Sequence, residues 1–318
     1  MKFEQNRVVA NILLIFMFSA NALTAEEPGK FSGKSYFEYF KPDNSLNEIE
    51  KFQFTRYYFT YDKKVTDNLA IRYRLDADRA DDDKMRPFLK HAYISWINLI
   101  SDAKIYIGMQ QTPNWSSYSE KYWGHRGVEK TIQDLHKLGS SADLGIGLVG
   151  EFSDRLGYHI LIANGTGYNH PENDNYKKTS GLFWFKPGGN LIGTVYADYE
   201  PISSVYSNAT LSIFGGIDTD KILYGAEYFI RNNGDPIDGN VAGLSLFGTF
   251  KLSNSNIFGR YDISDPSDIV PDNNLKYIIL GYEHLIDNAL KITPNIRNRK
   301  EGKKDSLTEI HINFEFSF

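Results

Sequence analysis

The chain has 318 residues, of which 41% are hydrophobic, 14% aromatic and 24% charged, and it carries 21 Tyr, 21 Phe, 26 Gly and a formal net charge of -5. That balance excludes a disordered chain, and the small acidic excess leaves no basic footprint for nucleic acid. With no cysteine there is neither a disulfide nor a thiolate metal site.

At the N-terminus, Lys2 and Arg7 flank the start of an apolar run from Val8 to Phe18, and Ala20-Asn21-Ala22 follows. A basic stretch, a short apolar run and a small-x-small site together predict a signal peptide over 1–22, with cleavage after Ala25 as the alternative. The run is shorter than the roughly 20 residues a membrane-spanning helix needs, and nothing later in the chain approaches that length. Residues 23–318 read as one domain without a linker.

Sixteen segments of strand character follow, at 35–41, 49–61, 68–77, 88–97, 104–111, 142–152, 157–165, 179–186, 191–200, 209–217, 221–230, 241–252, 256–262, 275–285, 289–297 and 307–318. Their connections alternate between short turns and longer polar loops, the longest at 112–141. Ten residues rising about 3.4 Å each at a tilt near 45° cover roughly 24 Å, the height of a membrane's apolar band. The last strand is the clearest. Ile310, Ile312, Phe314, Phe316 and Phe318 alternate with His311, Asn313, Glu315 and Ser317, so one face suits lipid and the other water. The expected fold is therefore all-β, a transmembrane antiparallel β-barrel of about 16 strands, or 14 if one weak hairpin is misread.

Charge assigns the faces. Arg or Lys at the bilayer midplane costs about 2–4 kcal/mol, so Arg56, Arg72, Arg74, Asp76 and Lys104 belong to the lumen, with Asp198, Glu227, Arg260, Glu283, Lys291 and Arg297. Within the long loop, Trp115, Tyr118, Tyr122 and Trp123 argue against disorder. Val128, Ile132 and Leu135 share one stripe of a predicted helix over 128–138, with Lys130, Asp134 and Lys137 turned to water. Folded inward and anchored by Trp115 and Trp123, such a loop would narrow a pore. The terminal Phe318 would seat the closing strand and mark the chain for the barrel-assembly machinery. No Gly-x-Ser-x-Gly motif or Ser/His pairing supports an enzyme. The acidic run Asp76, Asp78, Asp81, Asp82, Asp83 lacks the spacing of a calcium loop, so neither metal nor cofactor is expected.

Around the long loop the residues Thr112-Pro113, Glu120, Trp123-Gly124-His125-Arg126, Glu129-Lys130-Thr131, Asp134 and Ser141-Ala142-Asp143-Leu144-Gly145 resemble the phosphate-selective porins O and P and their porin-like relatives. Arg56-Tyr57-Tyr58 upstream and Ala163-Asn164-Gly165-Thr166-Gly167-Tyr168 downstream extend the resemblance. It implies a sixteen-stranded trimeric channel constricted by its third loop, with small hydrophilic solutes or inorganic anions drawn along Arg56, Arg72, Arg74, Lys104, Arg126 and Lys130. The expectation is a passive outer-membrane channel surrounded by lipid and lipopolysaccharide, with a weak anion preference. Two departures stand against that preference: the chain is shorter than typical members and net acidic. The alternative is a structural or adhesive barrel whose lumenal acids and bases pair off completely.

Overall fold

A computed structural model describes residues 28–46, 48–79, 85–100, 102–235, 239–287 and 289–318. The expected signal peptide and Asp81 to Asp83 lie outside these residues. The sixteen strands are β1 (Lys30–Lys41), β2 (Lys51–Lys64), β3 (Leu69–Arg79), β4 (Met85–Ile100), β5 (Ala103–Gln111), β6 (Ala142–Ser153), β7 (Leu156–Ala163) and β8 (Lys178–Phe185). Then follow β9 (Leu191–Pro201), β10 (Ser207–Asp218), β11 (Ile222–Asn232), β12 (Val241–Lys251), β13 (Ser255–Asp265), β14 (Leu275–Leu285), β15 (Leu290–Glu301) and β16 (Leu307–Ser317). Each pairs antiparallel with its neighbours in sequence, and β1 pairs with β16, which closes the sheet into a barrel. All sixteen sequence-predicted segments fall on these strands.

Closure is what makes the structure compatible with lipid, because a barrel leaves no backbone donor or acceptor at an open edge. At the seam, Lys34↔Ser317 through Lys41↔Ile310 form the ladder, Phe37 stacks on Phe314 at 4.9 Å, and Gly33 exchanges two backbone hydrogen bonds with Phe318. The Phe318 ring lies over Gly33, where an added Cβ would sit 2.2 Å from it. Deleting Phe318 removes both hydrogen bonds and this ring contact at the last point of closure. The expected outcome is a clear loss of heat-modifiable barrel in the outer membrane; assembly at the full level would show that the seam closes without it.

The distribution of side chains is inverted relative to a soluble protein. Tyr73, Leu75, Ile146, Ile162, Ile213 and Leu280 are exposed on the outer wall, while Asp76, Glu227, Arg260, Asp262, Glu283 and Arg297 are buried inside. An apolar exterior around a charged interior is the arrangement that lipid outside and water inside stabilise. The inward face assigned to Arg56, Arg72, Arg74 and Asp76 is the face observed. Asp76 is a fully buried residue of β3.

The 112–141 connection folds inside the barrel. Its helical content differs from expectation: a 3-10 turn spans Trp115–Ser117, helix α1 spans Ser119–Trp123, and only Ile132–Leu135 (α2) is helical in the second half. The wall and the loop's own Trp123 dictate this. The backbone carbonyls of Gly127, Glu129 and Lys130 leave helical hydrogen bonding to accept from Asn313 Nδ2, Trp123 Nε1 and Arg260. Gly124, at φ 71°, ends α1 in the left-handed region and turns the chain so that His125 and Arg126 point in different directions.

Candidate functional site

The loop adheres to one side of the lumen by a dry contact. Trp123, 1% exposed, packs edge-on against Phe247 and Phe258 at 5.6 and 5.7 Å, and Val128 joins Ile192, Phe214, Tyr277 and Ile279 in the same cluster. Trp115 joins a second cluster with Ile132, Leu138, Phe229 and Val241. Both tryptophans, expected as anchors of the inward loop, are buried where the loop meets the wall. Small residues make the fit possible: an added Cβ at Gly243 would lie 2.6 Å from the Phe229 ring. Phe229 and its neighbours can then turn inward to meet the loop.

Polar contacts fix the loop's register. Gln133 Nε2 donates to Glu227 at 2.6 Å, Tyr277 Oη donates to Glu129 at 2.8 Å, and Arg297 lies 3.5 Å from Glu129 and from Glu38. Burial pushes the Glu129 carboxyl up, but Arg297, the Tyr277 hydroxyl and the Lys130 amide outweigh it and hold it below the usual carboxylate range. Under the loop His125 Nε2 is 3.2 Å from Thr249 Oγ1, and its ring stacks on Phe258 at 3.9 Å. These contacts fasten the loop to β9–β16 and leave the opposite half of the lumen open.

That open half is a cavity of about 1230 Å³ between the loop and β1–β4. It is lined by eleven Lys and Arg side chains and four carboxylates, together with Tyr36, Tyr58, Tyr168, His91 and His170. Of the six residues expected to draw solutes, Arg56, Arg72, Arg74, Arg126 and Lys130 all line it. Lys104 does not; it sits at the start of β5, over the Tyr106 ring at 5.9 Å. Lys90 was missed by sequence reading. A bulge opposite Arg74 and Leu75 lets both Lys90 and His91 face the lumen, which breaks the alternation used to assign faces.

The cations divide by their partners. Asp76, fully buried, is shared by Arg56 at 2.6 Å and Lys90 at 3.1 Å, so this trio keeps one surplus positive charge. Arg72 is paired with Asp62 at 2.6 Å. Arg126 is held between Glu120 at 3.1 Å and Asp134 at 3.3 Å, which more than cancel its charge. Burial works against the Arg126 guanidinium, but Tyr58, Glu120 and Asp134 outweigh it and raise its pKa further. Arg74, by contrast, donates to Thr60 Oγ1 at 2.9 Å and has no carboxylate partner among the described residues. Lys121, Lys130 and Lys137 on the loop also lack one among the described residues. Arg56, Arg74 and Lys90 surround the Tyr58 ring at 5.2–5.6 Å, which spaces three cations around one aromatic pillar.

No family model matches the chain, and no curated protein matches it. Among solved structures, the anion-selective porin from Comamonas acidovorans aligns with a TM-score of 0.72 at 11% identity over 91% of this chain and 99% of its own. OmpF of Salmonella typhi in complex with daunomycin aligns at 0.70 and 10% identity over 91% of this chain and 97% of its own. OmpT expressed in the outer membrane of Vibrio cholerae aligns at 0.66 and 14% identity over 93% of this chain and 100% of its own. Identities this low establish the fold, a closed 16-strand barrel of the porin type. They do not single out the phosphate-selective porins O and P.

Proposed function

We propose that this chain is a passive outer-membrane diffusion channel that favours small anions, and that it does no catalysis. The observation that carries this reading is the cavity beside the inward loop. Eleven Lys and Arg side chains line it against four carboxylates, and Arg74, Lys121, Lys130 and Lys137 have no carboxylate partner among the described residues. Unpaired cations at a narrow section lower the free energy of an anion there and raise that of a cation. The -5 charge of the whole chain counts for less, because at physiological salt charges are screened over about 8 Å. The fold shared with an anion-selective porin supports the same reading.

The alternative of a barrel closed by its own ion pairs requires the lumenal acids and bases to cancel. On the loop side they largely do: Arg260 pairs with Asp262 at 2.5 Å, and Arg297 lies between Glu38 and Glu129. On the β1–β4 side they do not. An enzyme reading finds little support in the His125 and Thr249 pair, since the ring is buried beneath the loop and stacked on Phe258. The fold shared with trimeric OmpT of Vibrio cholerae supports a homotrimer in the outer membrane.

The test is a reversal potential in a KCl gradient across a planar bilayer holding the purified protein. The expected sign is that of Cl⁻ preference. A sign showing K⁺ preference would remove the anion selectivity and leave a cation-favouring channel, and an absence of conductance would favour the closed barrel.

A further inference from the structure

A second cavity, of about 410 Å³, lies between the loop and the inner wall of β3–β8. It sits toward the short turns: Tyr158 is two residues past the start of β7, and Trp184 is one residue from the end of β8. Its lining differs from the basic cavity. Tyr93, Tyr106, Tyr118, Tyr122 and Trp184 supply five rings, and Tyr93 meets Tyr106 edge-on at 5.3 Å. Arg72 and Lys121 line both cavities and so stand at their junction. The Arg72 guanidinium is fixed by Nε and Nη2 bonds to Asp62, whereas Lys121 has no carboxylate partner among the described residues. His159 Nε2 is buried at this wall without a hydrogen-bond partner.

We infer that this compartment is a binding subsite for ring-bearing organic anions, such as aromatic monocarboxylates, an inference that rests on the anion-channel reading above. A hydrated inorganic anion gains nothing from a wall of rings, because aromatic faces carry the negative side of the quadrupole. An uncharged ring compound would use the tyrosines but not Lys121, the junction cation without a carboxylate partner among the described residues. A molecule with its carboxylate at Lys121, beside the Arg72–Asp62 pair, and its ring among Tyr93, Tyr106 and Trp184 uses both. The volume is in the range of small-molecule sites, about 300–1,000 Å³, and the composition of many aromatic and few polar groups is that of a site which orients its ligand. The His159 Nε2 atom offers such a molecule one further polar contact.

The test adds benzoate, acetate or benzyl alcohol to the complete porin in a planar bilayer under KCl and records the loss of chloride current. Benzoate is expected to block at a concentration several-fold below that of either acetate or benzyl alcohol. A variant carrying Tyr93→Leu and Tyr106→Leu should weaken the benzoate block by about threefold or more, the equivalent of one aromatic contact. Lys121→Gln should weaken it independently, which guards against a double variant that fails to assemble. Equal block by benzoate and acetate, or undiminished block in the variants, would overturn the inference. The reversal potential read in the same bilayer separates the two proposals. If Cl⁻ preference holds while benzoate behaves as acetate does, this subsite alone is wrong; if Cl⁻ preference is missing, the anion-channel reading is wrong as well.

Discussion

Removing residues Tyr118 to Gln133 is expected to raise single-channel conductance several-fold. The segment carries α1, Trp123 and the Arg126 cluster, and it stands between the cavity of about 1230 Å³ and the loop-side wall. Because the sixteen-strand ladder closes without any contribution from the loop, the barrel should survive the deletion. Its thermal stability should fall, since the packing of Trp123, Val128 and Ile132 against Phe247, Phe258 and Phe229 is lost and the buried acids Glu227 and Glu283 lose Gln133 and His125. Conductance is the deciding readout. An unchanged value in a correctly assembled deletion protein would place the loop outside the permeation path and refute the constriction.

How far the sequence reveals this depends on which physical constraint acts at each residue. On the wall, two solvents enforce strict alternation, so Arg72 and Arg74 inside and Tyr73 and Leu75 outside are legible from spacing alone. The same rule fails at Lys90, where the bulge places two successive residues in the lumen. It fails again in the loop, where no repeating environment imposes a period. The apolar stripe of Val128, Ile132 and Leu135 correctly marks a face that packs on the wall, yet the helix expected over 128–138 shrinks to α2 because the chain instead bonds to strands more than a hundred residues away. Pairing is the least legible property. Arg126 has its two acids six and eight residues away along an irregular loop, and only the folded geometry brings Glu120 and Asp134 to 3.1 and 3.3 Å. The sequence therefore names Arg126 as one of six solute-drawing residues without revealing that two acids compensate it, whereas Arg74 and Lys130 have no carboxylate partner among the described residues.

Reversing two of those cations is expected to reverse the channel's preference. In Arg74→Glu with Lys130→Glu, each substitution changes local charge by two, and neither residue has a carboxylate partner among the described residues that would be left uncompensated. Among the described residues Arg74 donates to the Thr60 hydroxyl, and the Lys130 backbone, whose carbonyl accepts from Arg260, is unaffected by changing its side chain. Assembly should therefore stay near the wild-type level. The reversal potential in a KCl gradient should move from the sign of Cl⁻ preference to that of K⁺. Arg126→Gln should behave differently: it subtracts one charge, leaves Glu120 and Asp134 facing each other without their shared partner, and weakens Cl⁻ preference while loosening the loop. If Arg126→Gln shifted the potential further than the double reversal, the paired cluster and not the unpaired cations would control permeation. That order of effects follows from screening, because a permeating ion feels the net charge within about 8 Å and a compensated arginine adds little to it.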